Sequence, residues 1–309
     1  MNDSYQNSTS TDEDYIQIIP ALVYFPLQLF TYPLYSTVYW RNYNRDRHNP
    51  IFQVIIYSYR VIQGLYYLYY FYALGFVLMF ASNGFLWFLL VTSIVFVDWL
   101  MGIFDRVNNI LLCLIAIQRF MIYFFPSTEK HLSLNDDEIK HMIWVSGAFF
   151  VALSFGKHFL LREYYWFEYI VYNIFIFTCA CLYIPVYISI RKMRHLPAAK
   201  LNYPQKFAIW QLIAIPIVKS LYIPFVLLNG NLTIAYKVVR CVTIDQHATP
   251  LIIQLAYLGC NRRNLRMAVM TLRSKTWAKI LCYWCWRRAK VLPGERSRTV
   301  TDISSLQKY

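Results

Sequence analysis

Apolar residues arrive in long unbroken blocks, and polar residues gather in the short gaps between them. Blocks near residues 16–39, 55–81, 86–122, 142–161, 169–190, 207–229 and 236–259 each match the roughly 20 residues that carry a helix across a bilayer. The pattern predicts seven membrane-spanning helices. Strands of a β-barrel would alternate apolar and polar over about ten residues, so the expected fold class is all-α, a polytopic seven-transmembrane helix bundle. The difficult boundary is the nearly continuous apolar stretch from Ile51 to Phe125, where Ala81-Ser-Asn-Gly84 is the only turn-like cluster. One break there gives two long, tilted helices. Further breaks would put cationic ends on opposite sides or leave pieces too short to span.

Composition agrees: of 309 residues, 58% are hydrophobic and 19% aromatic, more than an ordinary soluble core accommodates. Charge then sets direction. None of the 30 Lys and Arg lies in residues 1–40, whereas Arg41, Arg45 and Arg47 follow the first block and Arg119, Lys130 and Lys140 bracket the gap after the third. Arg191, Lys192, Arg194, Lys200 and Lys206 fill the gap after the fifth, and twelve more lie between Arg262 and Lys308. Twenty-three thus fall on one side; only Lys157, Arg162, Lys237 and Arg240 fall on the other. The positive-inside rule makes the basic side cytosolic and the N-terminus extracellular, in the plasma membrane. The net charge of +14 is a topology signal with the lipid bilayer as partner, and does not indicate nucleic acid.

The expected organisation is an extracellular segment over 1–15, one seven-helix unit over 16–259, and a basic cytosolic tail over 260–309. No basic region precedes a short apolar core, so the first span is expected to act as a signal anchor. Asn2, Asn7 and Asn231 head glycosylation tripeptides, all on segments assigned outside. Cys113, Cys179, Cys181, Cys241 and Cys260 lie in or at the ends of spans, where reduced packing thiols are the default. Cys282 and Cys285 sit in Trp277-Ala-Lys-Ile-Leu-Cys-Tyr-Trp-Cys-Trp-Arg-Arg288, an aromatic and basic segment expected to form an interfacial amphipathic helix, with both cysteines as palmitoylation candidates. No second Cys or His pair is near, and no metal or other cofactor is expected.

Charges inside spans are costly and normally face a bundle interior. Arg60, Arg106, Lys219, Asp98, Asp105 and Asp245 are of this kind, and Asp98 and Asp105, two turns apart, share a face of the third span. They serve either an internal ion pair, such as Asp105 with Arg60 or Lys219, or a ligand pocket or ion path. Asp98 lies nearer the outside and is the better pocket candidate; Asp105 is expected to be neutralised locally by Arg106. Pro20, Pro26, Pro33, Pro185, Pro216, Pro224 and Pro250 all fall within spans, where each removes a backbone donor and bends the helix. Arg119 ends the apolar run from Leu111, so its guanidinium meets water at the cytosolic edge, either as a snorkelling anchor or as a switch.

Three stretches resemble the seven-transmembrane G-protein-coupled receptors of the nematode serpentine chemoreceptor families, class Z above all. They are Tyr32-Pro-Leu-Tyr35 with Asn44-Arg-Asp-Arg47; Leu114-Ile-Ala-Ile-Gln-Arg-Phe120 through Tyr123-Phe-Phe-Pro-Ser-Thr-Glu-Lys130; and Thr249-Pro-Leu-Ile-Ile-Gln-Leu-Ala-Tyr257 with Cys260-Asn-Arg-Arg-Asn264. The resemblance implies a chemosensory receptor that takes an extracellular small-molecule or peptide ligand and engages a heterotrimeric G protein. The superfamily's acidic-Arg-aromatic triplet is matched by Gln118, Arg119 and Phe120, the expected coupling residues, with the acid replaced. The cysteine pair between the third span and the second outer loop has no counterpart, and Thr249-Pro250 alone answers the seventh-span Asn-Pro-x-x-Tyr. Depth and polarity select Asp98, Trp99, Tyr172, Tyr222 and His247 as pocket candidates.

A transporter using Asp98, Asp105, Arg106 and Lys219 as a pathway is the alternative, although no internal duplication is visible. Enzymatic chemistry is not expected: no helical His-Glu-x-x-His, phosphate-binding loop or nucleophile motif occurs.

Overall fold

Each apolar block folds as one helix. The computed structural model describes residues 3–47, 51–79, 84–125, 127, 135–160, 165–192, 205–228 and 233–273. The bundle comprises α1 (Asp3–Asp46), α2 (Phe52–Met79), α3 (Gly84–Phe124), α4 (Asp136–Leu160), α5 (Tyr165–Lys192), α6 (Gln205–Leu228) and α7 (Ile234–Gly259). A short α8 (Arg262–Arg273) follows. The apolar stretch from Ile51 to Phe125 is therefore interrupted once, between Met79 and Gly84.

Contacts between helices fix their directions. Along α1 and α7, Gln28 meets the His247 carbonyl, Thr31 meets Gln254, and Asp46 meets Tyr257, so these two helices run parallel. Along α2 and α3, Tyr69 meets Met101 while Tyr72 meets Ser93, so these two run antiparallel. Tyr32 meets Tyr66 and Tyr43 meets Phe52, so α1 and α2 are antiparallel, while Tyr172 meets Arg106 and Tyr183 lies near Arg119, so α3 and α5 are parallel; the C-termini of α1, α3, α5 and α7, with α8, thus share one end of the bundle, the basic end. There Asn42 of α1 donates to Asn264 of α8 at 3.0 Å, and Gln53 of α2 donates to Asp136 of α4 at 3.2 Å.

Two large apolar clusters fill the interior. One joins α1, α2, α7 and α8 through tyrosines: Tyr39 stacks on Tyr59 with centroids 3.9 Å apart, and Tyr35 meets Tyr257 edge-on at 5.3 Å. The second joins α3, α5 and α6 through Leu112, Ile176, Tyr183 and Leu212. Between α3 and α7 the packing is close. A Cβ on Gly102 would stand 2.5 Å from the Gln246 amide nitrogen.

The outer surface is as apolar as the core. Leu221 and Phe225 of α6 are 74% and 81% exposed, and Trp144 and Phe149 of α4 and Ile174 of α5 also face outward. An apolar patch of this extent is stable only against lipid. Stretches of α3, α4, α5 and α6 are long and apolar enough to cross a membrane. The apolarity of α7 is diluted by Asp245, Thr249 and Gln254, all of which are buried, so its polar face belongs to the interior.

A short amphipathic helix is described at the basic end. It is α8, directly after α7, with Asn264, Met267, Ala268 and Thr271 against the bundle and Leu265, Val269 and Leu272 outward beside Arg262, Arg266 and Arg273. Asn261 accepts the Arg263 backbone N–H at 3.0 Å and so starts a new helix at the point where Gly259 ends α7. Residues 277–288, with Cys282 and Cys285, lie outside the described residues, as do Asn2 and Asn231; Asn7 falls in α1 where the backbone alone is described.

Candidate functional site

The strongest polar feature in the bundle interior is an ion pair between α6 and α7. Lys219 Nζ lies 2.7 Å from Asp245 Oδ2, and the two residues are 2% and 7% exposed. Enclosing two ions costs several kcal/mol each and is tolerated only where further hydrogen bonds complete both. Those bonds come largely from α5. Lys219 also donates to Asn173 Oδ1 at 2.7 Å and sits 5.5 Å from the centre of the Tyr169 ring. Asp245 accepts the Tyr169 hydroxyl at 3.0 Å on Oδ2 and the Tyr222 hydroxyl on Oδ1. Asn173 in turn donates to the Tyr169 carbonyl, one turn back on its own helix. Pro216 and Pro224 lie on either side of Lys219 in α6, so backbone freed from regular hydrogen bonding flanks the cation.

Asp105 of α3 belongs to the same centre but has a different environment. Its Oδ1 accepts Asn109 Nδ2 at 2.9 Å and Thr249 Oγ1 at 2.5 Å, both neutral donors. A cavity of about 30 Å³ lies against it, lined by Asp105, Arg106, Phe150, Tyr169, Tyr172 and Asp245, with Glu168 and Val242 completing the wall. That volume admits about two or three waters.

These contacts correct the expected pairings. Asp105 forms no ion pair with Arg60, Lys219 or Arg106 among the described residues: Lys219 turns to Asp245, and Arg60 is exposed on α2. The reason is rotational. Lys219 projects between α5 and α7, where Asn173 and Asp245 meet it, while Asp105 is satisfied on one oxygen by its own helix and by Thr249.

The five pocket candidates fall in three places. Tyr172 lines the cavity and donates to the Arg106 carbonyl at 3.2 Å, and Tyr222 joins the ion pair. Asp98 is exposed on α3, two turns from Asp105, and neighbouring Trp99 stacks on Phe96 at 5.9 Å and meets Phe155 edge-on at 5.7 Å. His247 is half-buried, within electrostatic range of Asp98, and its carbonyl accepts Gln28 Nε2 at 2.7 Å. A tally of formal charges passes over Asn173 and Tyr169, which complete the centre. Their signal is an amide isolated in an apolar run, one turn after a tyrosine.

Arg119 lies near the end of α3, half-buried, within electrostatic range of Tyr183 on α5. Gln118 and Phe120 are also half-buried, and Phe120 packs against Phe124 with ring centres 4.5 Å apart. Across the basic end, Asp46 gathers α1 and α7: Arg45 Nη2 lies 2.9 Å from Oδ1, and the Tyr257 hydroxyl donates to Oδ2 at 2.8 Å. Asn264 Nδ2 donates to the Tyr257 carbonyl at 2.9 Å, which ties α8 to the same point. The described cysteines Cys113, Cys179, Cys181, Cys241 and Cys260 are free thiols.

Comparison with known proteins gives one family. The model described as the serpentine type 7TM GPCR chemoreceptor Srz matches residues 18–262, which runs from the first helix into the start of α8. No curated protein and no solved structure matches.

Proposed function

Because the chain belongs to the Srz family of serpentine seven-transmembrane chemoreceptors, we propose that it binds an external chemical between its helices and signals through a cytosolic heterotrimeric G protein. The observation that carries this reading is the layout of α3. Asp105 stands at the buried centre and Arg119 at the basic end, fourteen residues apart, or about 21 Å along a helix. One helix therefore touches both the cavity and the coupling position. A ligand that fits one arrangement of α3, α5, α6 and α7 better than another shifts the population between them, and the shift reaches Arg119 through the same helix.

In this reading the N-terminus is extracellular, the basic end with α8 faces the cytosol of a sensory cell, and Gln118, Arg119 and Phe120 meet the G protein. Asn2, Asn7 and Asn231 would carry glycans outside, and Cys282 and Cys285 would carry acyl chains inside. Pro216, Pro224 and Pro250 lie within the two helices that carry the ion pair, and each removes a backbone donor there, so a helix rearrangement at these points costs fewer backbone hydrogen bonds.

The test is Arg119→Ala, read by surface labelling beside a second-messenger assay. Lost signalling with normal surface level supports the coupling role. Unchanged signalling removes it, and loss from the surface makes Arg119 an anchor instead.

A further inference from the structure

We propose that Tyr257 is a redox-active tyrosine: an oxidising equivalent received at Trp40 passes through stacked tyrosines to Tyr257, whose hydroxyl proton moves to Asp46. This activity needs no ligand in the cavity and goes beyond the receptor reading.

Indole and phenol give up one electron more readily than other ring side chains, so such rings in contact form a route for an electron vacancy. Trp40 is 51% exposed and directly precedes Arg41, which puts its indole at the edge where lipid meets water. Its Nε1 donates to the Tyr59 hydroxyl at 2.9 Å. Tyr35 then stands 5.7 Å from Tyr59 and 5.3 Å from Tyr257, ring centre to ring centre. Every step from Trp40 through Tyr59 and Tyr35 to Tyr257 spans at most 6.1 Å. Tyr35, Tyr59 and Tyr257 are buried, so the path runs from an exposed ring to enclosed ones.

A phenol that loses an electron becomes a strong acid, and its radical persists where a base takes the proton. Tyr257 has that base: its hydroxyl donates to Asp46 Oδ2 at 2.8 Å, within reach for proton transfer. The rings before it do not. The Tyr59 hydroxyl meets the neutral groups of Ser36 and Trp40, and the fully enclosed Tyr35 hydroxyl has no hydrogen-bond partner among the described residues. Phenylalanine would fill the Tyr35 position without that cost, so packing alone does not account for the phenol. Tyr169 and Tyr222 also donate to a carboxylate, Asp245, but no ring contact among the described residues links them to Trp40.

The oxidant is a lipid peroxyl radical, the one-electron oxidant that a bilayer itself generates. It takes an electron from Trp40 and a proton from interfacial water and leaves as the hydroperoxide. Trp40 is restored by an electron from Tyr59, Tyr59 by one from Tyr35, and Tyr35 by one from Tyr257. The Tyr257 O–H bond breaks and an O–H bond forms on Asp46, which leaves a neutral phenoxyl radical beside a neutral carboxyl group. Arg45, 2.9 Å from Asp46 Oδ1, then faces an uncharged group, and the junction of α1 with α7 is weakened while the radical lasts.

The test uses the full chain in nanodiscs, with a ruthenium polypyridyl photo-oxidant attached at Arg41→Cys, beside Trp40. The same label on the chain without Arg41→Cys gives the background from native cysteines. After a flash in the presence of a sacrificial electron acceptor, the optical signal of a tryptophan radical should give way to the paramagnetic resonance signal of a tyrosyl radical. Trp40→Phe, at an exposed position, should slow tyrosyl formation, and Tyr257→Phe or Asp46→Asn should shorten its lifetime, each by about tenfold or more. A tryptophan radical that decays with no tyrosyl signal, formation unchanged in Trp40→Phe, or a lifetime unchanged in Tyr257→Phe each overturns the assignment. If Tyr257→Phe does not fold, Asp46→Asn decides, because it keeps the ring and removes the base: an unchanged lifetime there overturns the assignment as well.

Discussion

The Tyr257 hydroxyl of α7 donates to Oδ2 of Asp46 on α1 at 2.8 Å, 211 residues away in sequence, while Arg45 takes the other carboxylate oxygen. Both Tyr257 and Asp46 are buried, so the bond is worth more than its counterpart in water. Tyr257→Phe removes one donor to an ionised acceptor and should lower stability by about 1.5–3 kcal/mol in thermal or denaturant unfolding. Asp46→Asn keeps an acceptor in place and should lose less. Unchanged stability in Tyr257→Phe would mean that packing of the ring matters and the hydroxyl does not.

The ion pair of Lys219 and Asp245 predicts asymmetric costs. Lys219→Met or Asp245→Leu alone strands one buried ion and should cost about 3–5 kcal/mol, seen as a lower unfolding midpoint and reduced surface level. The double variant removes both ions and should recover part of that loss, the Tyr169 and Tyr222 hydroxyls remaining without their shared acceptor. Additive losses would show that the pair is not coupled.

Gln118 stands where the superfamily's triplet has an acid. Gln118→Glu places a carboxylate beside Arg119, and an ion pair at a partly solvated site is worth about 0.2–1 kcal/mol, so agonist-independent signalling should fall by about 1.4- to fivefold. The measurement is basal second messenger, normalised to surface protein. An increase would mean that Arg119 is not restrained at rest by neighbouring charge.

Membrane orientation has its own measurement. A membrane-impermeant maleimide on intact cells should label Ser4→Cys above the unaltered chain, and should label Ser304→Cys only after permeabilisation. The reverse pattern inverts the topology and takes Arg119 away from the cytosol.

Seven helices and the single break after Met79 were legible because a bilayer imposes a length of apolar chain that no side-chain detail alters. The rotation of each helix was not legible. Lys219 pairs with Asp245 and not Asp105 because α6 turns its cation toward α5 and α7, and that angle is set by packing between helices far apart in sequence. The short α8 was not legible, because its start at Arg262 depends on the Asn261 side chain accepting a backbone N–H, which no charge or aromatic cluster announces; residues 277–288 lie outside the described residues. Neutral amides were the weakest signal. Asn173, Asn108 and Gln211 carry no charge, yet each is buried in a polar contact that joins two helices.

The parallel packing of α1 against α7 also constrains the order of assembly. Gln28, Thr31, Asn42 and Asp46 leave the ribosome early, and their partners His247, Gln254, Asn264 and Tyr257 are among the last residues of the bundle to be made. Through most of synthesis these groups of α1 are without their mates. A chain that stops before α7 is therefore left with an exposed polar helix that a quality-control machine can recognise. The pairing of α1 therefore waits on the last fifth of the polypeptide.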